Sequence, residues 1–250
     1  MIDKPTPEQL DGLRTLWVEA FGEPRFWDAF FAEVFSADHC RCLSEDGVVA
    51  AALYWLDCEL SGRKLAYLYA VATRRVYRHR GLCHRLMADT HSHLREAGYS
   101  GTLLVPEHPP LRQLYAQLGY RDCTAICEFA CDAGPEAIPL RRIDRAEYAA
   151  RRRALLPPGG VTQEGGNLSL LTLSAGLWAG DGLLFAASQE GGTLLVPELL
   201  GDPSAAPAIV RALGCTRGQF RAPGTQTPFA MFRPLEENAP SPGYFGLAFD

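Results

Sequence analysis

Apolar residues recur at helical spacing near the start of the chain, as Leu10, Leu13, Trp17 and Phe21, and again as Phe26, Trp27, Phe30, Phe31 and Val34. These stripes predict two amphipathic helices. Thr6-Pro7-Glu8-Gln9 supplies a start for the first, with Thr6 as N-cap, Pro7 at the first helical position and Gln9 placed to close a capping box. The second begins near Pro24. So many aromatics could line an acceptor pocket, but a stripe facing a core accounts for them more simply. From His39 the pattern changes to extended runs. Strands are predicted around His39–Leu43, over Val48–Leu60 and over Lys64–Thr73, with turn chemistry at Glu45-Asp46-Gly47 and Ser61-Gly62-Arg63. Closely spaced turns between such runs signal an antiparallel meander.

An amphipathic helix follows from about Leu82 to Ala97, with Gly98 to end it. Thr102–Val105 reads as a short strand, Pro109-Pro110 opens a short helix that stops at Gly119, and Asp122–Cys131 is predicted to close the sheet. Asp132-Ala-Gly-Pro-Glu-Ala-Ile-Pro139 has turn chemistry and no periodicity, as a linker does. The chain therefore divides into domains at 1–133 and 134–250. The second is expected to hold a helix at Arg145–Leu156, a break at Pro157-Pro158-Gly159-Gly160, and strands at Leu168–Leu173, Gly182–Gln189 and Thr193–Leu199. A helix at Ala205–Leu213 and strands near Gln219 and over Phe229–Arg233 complete it. The fold class is α/β, of the α+β kind with mixed sheets.

The stretch from Tyr67 to Met87 carries the most chemistry. An apolar strand ends at Val71-Ala72-Thr73, an Arg-rich turn follows, and a helix opens at about Gly81. A helix start leaves backbone N–H groups without partners and carries partial positive charge. Arg78, His79 and Arg80 add donors beside it, and Gly81 lets a ligand approach the backbone. Together these make a phosphate or pyrophosphate site. Arg78-His79-Arg80-Gly81-Leu82-Cys83 resembles the Gln/Arg-x-x-Gly-x-Gly/Ala signature of the GNAT superfamily of acyl-CoA-dependent N-acyltransferases, with Cys83 in place of Gly or Ala. Leu114-Tyr115-Ala116-Gln117-Leu118-Gly119-Tyr120 resembles the family's C-terminal motif, an aromatic residue on a short helix before Gly-Phe/Tyr. The likeness covers roughly residues 5–130.

The resemblance implies acetyl-CoA as co-substrate and an amine as acceptor. It implies that the backbone of Val71, Ala72 and Thr73 holds the pantetheine arm and that Arg78, His79, Arg80, Gly81, Leu82 and Cys83 hold the pyrophosphate. It also makes Tyr115 the acid that protonates the departing thiolate; a phenol stays protonated at neutral pH. Packing in its helix stripe is the plainer role for Tyr115. A base is harder to place. Ala66, Tyr67, Leu68, Tyr69 and Ala70 precede Val71 without a carboxylate, leaving Glu107, which follows its strand directly, and Glu59 on a neighbouring strand. An acyl-CoA-binding sensor or pseudoenzyme without turnover is the rival reading.

The second half carries echoes of the first. Thr193-Leu-Leu-Val-Pro-Glu198 repeats Thr102-Leu-Leu-Val-Pro-Glu107, and Ala208-Ile-Val-Arg-Ala-Leu-Gly-Cys215 resembles Leu114–Tyr120. No Arg-x-x-Gly-x-Gly/Ala segment lies there, so it reads as a degenerate copy, as in tandem members of the family. A net charge of −5 argues against bulk nucleic-acid binding. No signal-peptide core and no long apolar run is present, so a cytoplasmic protein away from membranes is expected. The eight cysteines are then expected to be reduced, and their spacing offers no metal knuckle. No phosphate loop of the Gly-x-x-x-x-Gly-Lys-Ser/Thr kind occurs, which excludes that class of kinase. The apolar tail Pro242–Asp250 is expected to dock near the acceptor side of the first domain, or else to join the second domain's sheet. Acceptor identity and oligomeric state stay open.

Overall fold

The computed structural model describes residues 1–22 and 24–249 and sorts them into two units. The first gathers Met1–Leu104, His108–Arg121 and Phe232–Pro240, and the second Val105–Glu107, Asp122–Met231 and the residues from Ser241 onward. In the first, β1 (Ile2–Asp3) leads to helices α1 (Leu10–Phe21) and α2 (Pro24–Glu33). The meander β2 (Cys40–Glu45), β3 (Val48–Leu60) and β4 (Arg63–Thr73) follows, then α3 (Leu82–Glu96), β5 (Gly101–Leu104), α4 (Pro109–Gln117) and β6 (Arg121–Asp122). The predicted capping box forms ahead of α1, where Thr6 N–H donates to Gln9 Oε1 at 2.9 Å. Gly98, at φ +81°, ends α3 and lets Tyr99 N–H reach Leu94 O at 2.9 Å. β3 is buried continuously from Val49 to Leu56 because α1 and α3 both pack on it, so its sequence is apolar without alternation.

The second unit holds β7 (Ala125–Asp132), β8 (Arg141–Arg142), α5 (Arg145–Leu155), β9 (Thr162–Gln163), α6 (Gly166–Leu171) and β10 (Gly176–Gly180). It continues with β11 (Leu183–Glu190), β12 (Thr193–Leu200), α7 (Ala206–Ala212), β13 (Arg217–Pro223) and β14 (Thr227–Pro228), and the chain then forms β15 (Met231–Pro234). The first sheet runs β1-β2-β3-β4-β5-β15-β6 and the second β14-β7-β13-β12-β11-β10-β8. Each combines antiparallel ladders with a parallel one, β4 on β5 and β12 on β13.

Several expectations are corrected. The segment Asp122–Cys131 does not close the first sheet. As β7 it lies antiparallel to β13, from Ile126↔Pro223 to Asp132↔Arg217, and β15 takes the place beside β5. Leu168–Leu173 is not a strand: Leu168 to Leu171 belong to α6, and Thr172 and Leu173 to the turn after it. Leu168 and Leu171, three apart, share a buried face, and so short an apolar run does not distinguish helix from strand by periodicity. β10 was not foreseen, since glycine stands at both of its ends.

The internal repeat is real in topology but not where the sequence echo places it. β10-β11-β12-α7-β13 repeats β2-β3-β4-α3-β5: two antiparallel ladders, then a parallel one across a helix. Both third strands carry a bulge at the same point, opposite Ala52–Tyr54 in the first unit and opposite Ala186–Ser188 in the second. Thr193–Glu198 is thus the counterpart of β4, not of Thr102–Glu107, and α7 is the counterpart of α3, not of α4.

The tail docks within the second unit and forms no named strand of its sheet. Tyr244, Phe245 and Leu247 are buried, Gly243 N–H donates to Gly159 O at 2.8 Å, and Val161 N–H donates to Tyr244 O at 2.8 Å. These partners lie in the second unit's own loops. Beneath the tail Arg152 grips Glu198 through two bonds of 2.7 and 2.8 Å, both side chains being buried, and Tyr244 donates to Glu198 Oε1 at 3.0 Å. Gly246 must lack a side chain, because a Cβ there would overlap both the Glu198 carboxylate and the Tyr244 hydroxyl. Asp250 lies outside the described residues.

Candidate active site

β4 outruns its parallel neighbour. The ladder with β5 extends from Leu65↔Gly101 to Tyr67↔Leu103, while β4 continues to Thr73. Along that extension a bulge skips register between Ala52↔Ala72 and Tyr54↔Tyr69, with Ala70 in the left-handed region at φ +49°. A non-glycine residue there costs roughly 1–2 kcal/mol and bends the strand. Tyr69, beside the bulge, packs against Trp17 and Phe30, with ring centroids 5.7 and 5.9 Å apart. Trp17, Trp27 and Phe30 are buried. Of the aromatic stripe of α1 and α2, these three are core and back onto this part of β4, while Phe26 and Phe31 are half-buried and Phe21 is exposed.

The turn after β4 is tied to β3, to α1 and to the end of β4 itself. Arg74 donates from its N–H to Ala50 O and from Nε to Val49 O, both at 2.9 Å; Arg75 N–H donates to Glu19 Oε1 at 2.6 Å and Arg78 Nε to Thr73 O at 3.1 Å. Left-handed conformations at His79 (φ +61°) and Gly81 (φ +72°) then curl the chain into α3. The first bond inside α3 is Arg85 N–H to Gly81 O at 3.1 Å, so the amides of Leu82, Cys83 and His84 have no carbonyl four residues back. Nothing stands within 4 Å of where a Gly81 Cβ would lie. That space, bordered by the exposed Arg78, His79 and Arg80, suits an anionic group. Leu82 is buried, so only its backbone can serve. Val71 to Cys83 thus form one continuous strand–turn–helix in the first unit.

Tyr115 lies on α4 with its ring buried edge-on to Tyr120, centroids 5.9 Å apart. Among the described residues its hydroxyl has no hydrogen-bond partner. Burial pushes its pKa up, and Cys83 is near enough to add to the push. Burial also raises the Cys83 thiol, to about 11, so it stays protonated. Glu107 is exposed and falls in Val105–Glu107, a segment that groups with the second unit. Glu59 pairs with Lys64, about 20 Å along the strand from the bulge.

Sequence reasoning missed the bulge and a set of groups behind Tyr115. Tyr120, fully buried, places its hydroxyl 2.7 Å from Thr102 Oγ1 and 2.8 Å from His91 Nε2. Burial, aided by Arg233 and Arg95, drives His91 down to about 3. The only available signal was a histidine on the helix face shared with Leu94 and Met87.

The counterpart turn in the second unit is closed. Asp202 accepts from Ser204 N–H at 2.9 Å and from Ser204 Oγ at 2.7 Å, and these bonds lower its pKa. Its carboxylate thus already occupies one backbone N–H of that turn. β13 leads to β14 with no helix between them, so no counterpart of α4 or Tyr115 exists among the described residues. Among those residues no group of three or more His, Cys, Asp and Glu could hold a metal ion, and no helix is long and apolar enough to cross a membrane.

A mixed sheet with a bulged strand that outruns its parallel neighbour, followed by a glycine-started helix, makes the first unit a mixed α/β fold. A family model described as acetyltransferase (GNAT) domain matches residues 1–123. Residues 1–123 therefore carry a GNAT acetyltransferase domain. Solved structures share the two-sheet architecture. A GCN5-related N-acetyltransferase from Kribbella flavida is 18% identical with a TM-score of 0.71, covering 96% of this chain and 73% of its own. Eis1 from Mycobacterium abscessus is 13% identical with a TM-score of 0.67, covering 94% and 73%. A putative acetyltransferase from Pyrococcus horikoshii is 10% identical with a TM-score of 0.65, covering 99% and 93%. Identities this low establish a common fold. No curated protein matches the sequence.

Proposed function

We propose that the protein is an N-acetyltransferase that moves the acetyl group of acetyl-CoA to a primary amine by direct attack in a ternary complex. The observation that carries this reading is the continuity, in one unit, of the free-running end of β4 with the glycine-started α3. The backbone of Val71, Ala72 and Thr73 would pair with the pantetheine arm as an added strand. The amides from Arg78 to Cys83, with the Arg78, His79 and Arg80 side chains, would hold the pyrophosphate. In the reaction the neutral amine attacks the thioester carbonyl, a C–N bond forms and the C–S bond breaks. Tyr115 gives its proton to the departing thiolate. Glu107, directly after β5 in the chain, is the carboxylate assigned to take the proton lost by the amine.

In this reading residues 1–133 are the catalytic domain and 134–250 a degenerate GNAT-like domain that no longer binds the co-substrate. The eight free cysteines suit a reducing cytoplasmic setting. One observation favours the rival, a sensor without turnover: β4 carries no carboxylate anywhere along its length. Thiol release from acetyl-CoA across an amine panel, run beside calorimetry of coenzyme A binding, separates the two. Binding with amine-dependent release supports the enzyme; tight binding with release no faster than hydrolysis supports the sensor.

A further inference from the structure

Tyr115 has a hydroxyl that no described residue holds, so only packing fixes where its proton points. The residue it packs against is fastened on every side. Tyr120 N–H donates to Tyr115 O at 3.1 Å and so closes the end of α4 on Tyr115 itself. The two rings meet edge to face at 66°. The Tyr120 hydroxyl then reaches away from α4, to Thr102 on β5 and His91 on α3. The direction of these bonds follows from His91. Its Nδ1 is buried without a partner, and a bare lone pair is cheaper to leave there than an N–H. The proton is therefore assigned to Nε2, which donates to the Tyr120 oxygen, and the Tyr120 O–H donates in turn to Thr102 Oγ1.

We infer that Tyr120 is a positioning residue: its hydroxyl, pinned between β5 and α3, fixes the ring against which Tyr115 is aimed at the departing sulfur. The inference rests on the reading of Tyr115 as the acid. Removing the hydroxyl leaves a ring of the same shape that is free to shift. A displacement of about 1 Å at a reacting group can cost on the order of 100-fold, and a smaller shift of the neighbour costs less.

The test is a kinetic cycle using acetyl-CoA and whichever amine among tyramine, spermidine, kanamycin and a glycyl peptide gives the fastest thiol release. Tyr120→Phe should lower kcat about tenfold, leave the KM for acetyl-CoA unchanged, and have no further effect when Tyr115 is already Phe. Thr102→Val, which removes the same anchor from the other side, should lower kcat likewise, and it serves if Tyr120→Phe does not fold. His91→Gln, whose amide can still donate to Tyr120, should keep most of the rate. An equal loss in both Tyr115 backgrounds overturns the proposal, as does an unchanged kcat with only a lowered melting temperature. If Tyr115→Phe alone turns over at the wild-type rate, the acid assignment falls and this proposal with it. A depressed Tyr115→Phe beside an unaffected Tyr120→Phe sinks the positioning role alone.

Discussion

Two buried side chains of the first unit make opposite uses of burial. For Tyr115 burial favours the neutral phenol, which is the form an acid needs, so its proton is present throughout the physiological range. Tyr115→Phe should fold normally, keep its affinity for coenzyme A and lose about 100- to 10,000-fold in kcat at saturating acceptor. Because the pKa is raised, kcat of the wild type should show no falling limb from this group below about pH 10. A fall centred near pH 8, absent from Tyr115→Phe, would remove it from the role. For His91 burial again favours the neutral form, but here the consequence is for stability. Its folded pKa of about 3 lies below the ordinary value of 6.5, so the unfolded chain binds the proton first as pH falls. Full stability therefore holds above about pH 6.5 and is lost progressively toward pH 3. The loss is worth about 2 kcal/mol by pH 5. His91→Gln should flatten the fall in melting temperature between pH 7 and pH 5, and an unchanged pH dependence would show that His91 does not titrate on unfolding.

Among the elements, the strand–turn–helix from β4 to α3 was the most legible in sequence, because its chemistry is local. A glycine at a helix start, basic side chains before it and an apolar strand ahead of them specify the arrangement without reference to the rest of the chain. The bulge at Ala70 was not legible, since nothing in Tyr69-Ala70-Val71 departs from a strand pattern and the skip is forced by pairing with β3. Tyr120 was legible as a motif residue but its anchors were not, because Thr102 and His91 are brought to it by tertiary packing. Gly81 tests the element. Gly81→Asp places a negative charge where phosphate is proposed to sit; two like charges about 4 Å apart near a protein surface repel by about 4 kcal/mol. Affinity for coenzyme A should fall at least 100-fold, while Gly81→Ala, which adds only backbone strain at φ +72°, should lose far less. The closed turn at Asp202 adds a stoichiometry: calorimetry should find one coenzyme A per chain, and Gly81→Asp should abolish all binding rather than half of it. Two sites, or a residual site in the variant, would reverse the reading of the second unit as degenerate.

On the scale of the whole molecule, each unit is built from chain that is distant in sequence. The first sheet needs β15 from near the end of the chain, and the second needs β7 from its middle. A reading that runs along the sequence assigns each strand to its nearest sheet, and neither Ala125–Asp132 nor Met231–Pro234 carries a residue that marks the exchange. The same holds for the tail, whose apolar residues announced that it docks but not where. Its place in the second unit makes a sharp prediction. Burying Tyr244, Phe245 and Leu247 contributes about 1.5–3 kcal/mol each, and the Tyr244 hydrogen bond to the Glu198 carboxylate adds about 1.5–3 kcal/mol. Their sum is comparable to the 5–15 kcal/mol that a whole domain commands. Deleting residues 242–250 should therefore lower the melting temperature steeply or leave the chain insoluble, because it also strips the cover from the buried Arg152–Glu198 pair. Tyr244→Phe isolates one part of this. It keeps the ring, drops the hydrogen bond, and should lower stability by about 1–3 kcal/mol without changing the KM for acceptor. A stable deletion variant with an altered acceptor KM would return the tail to the role of a gate; one unchanged in both would leave the burial of Tyr244, Phe245 and Leu247 without energetic consequence, against the physics argued here.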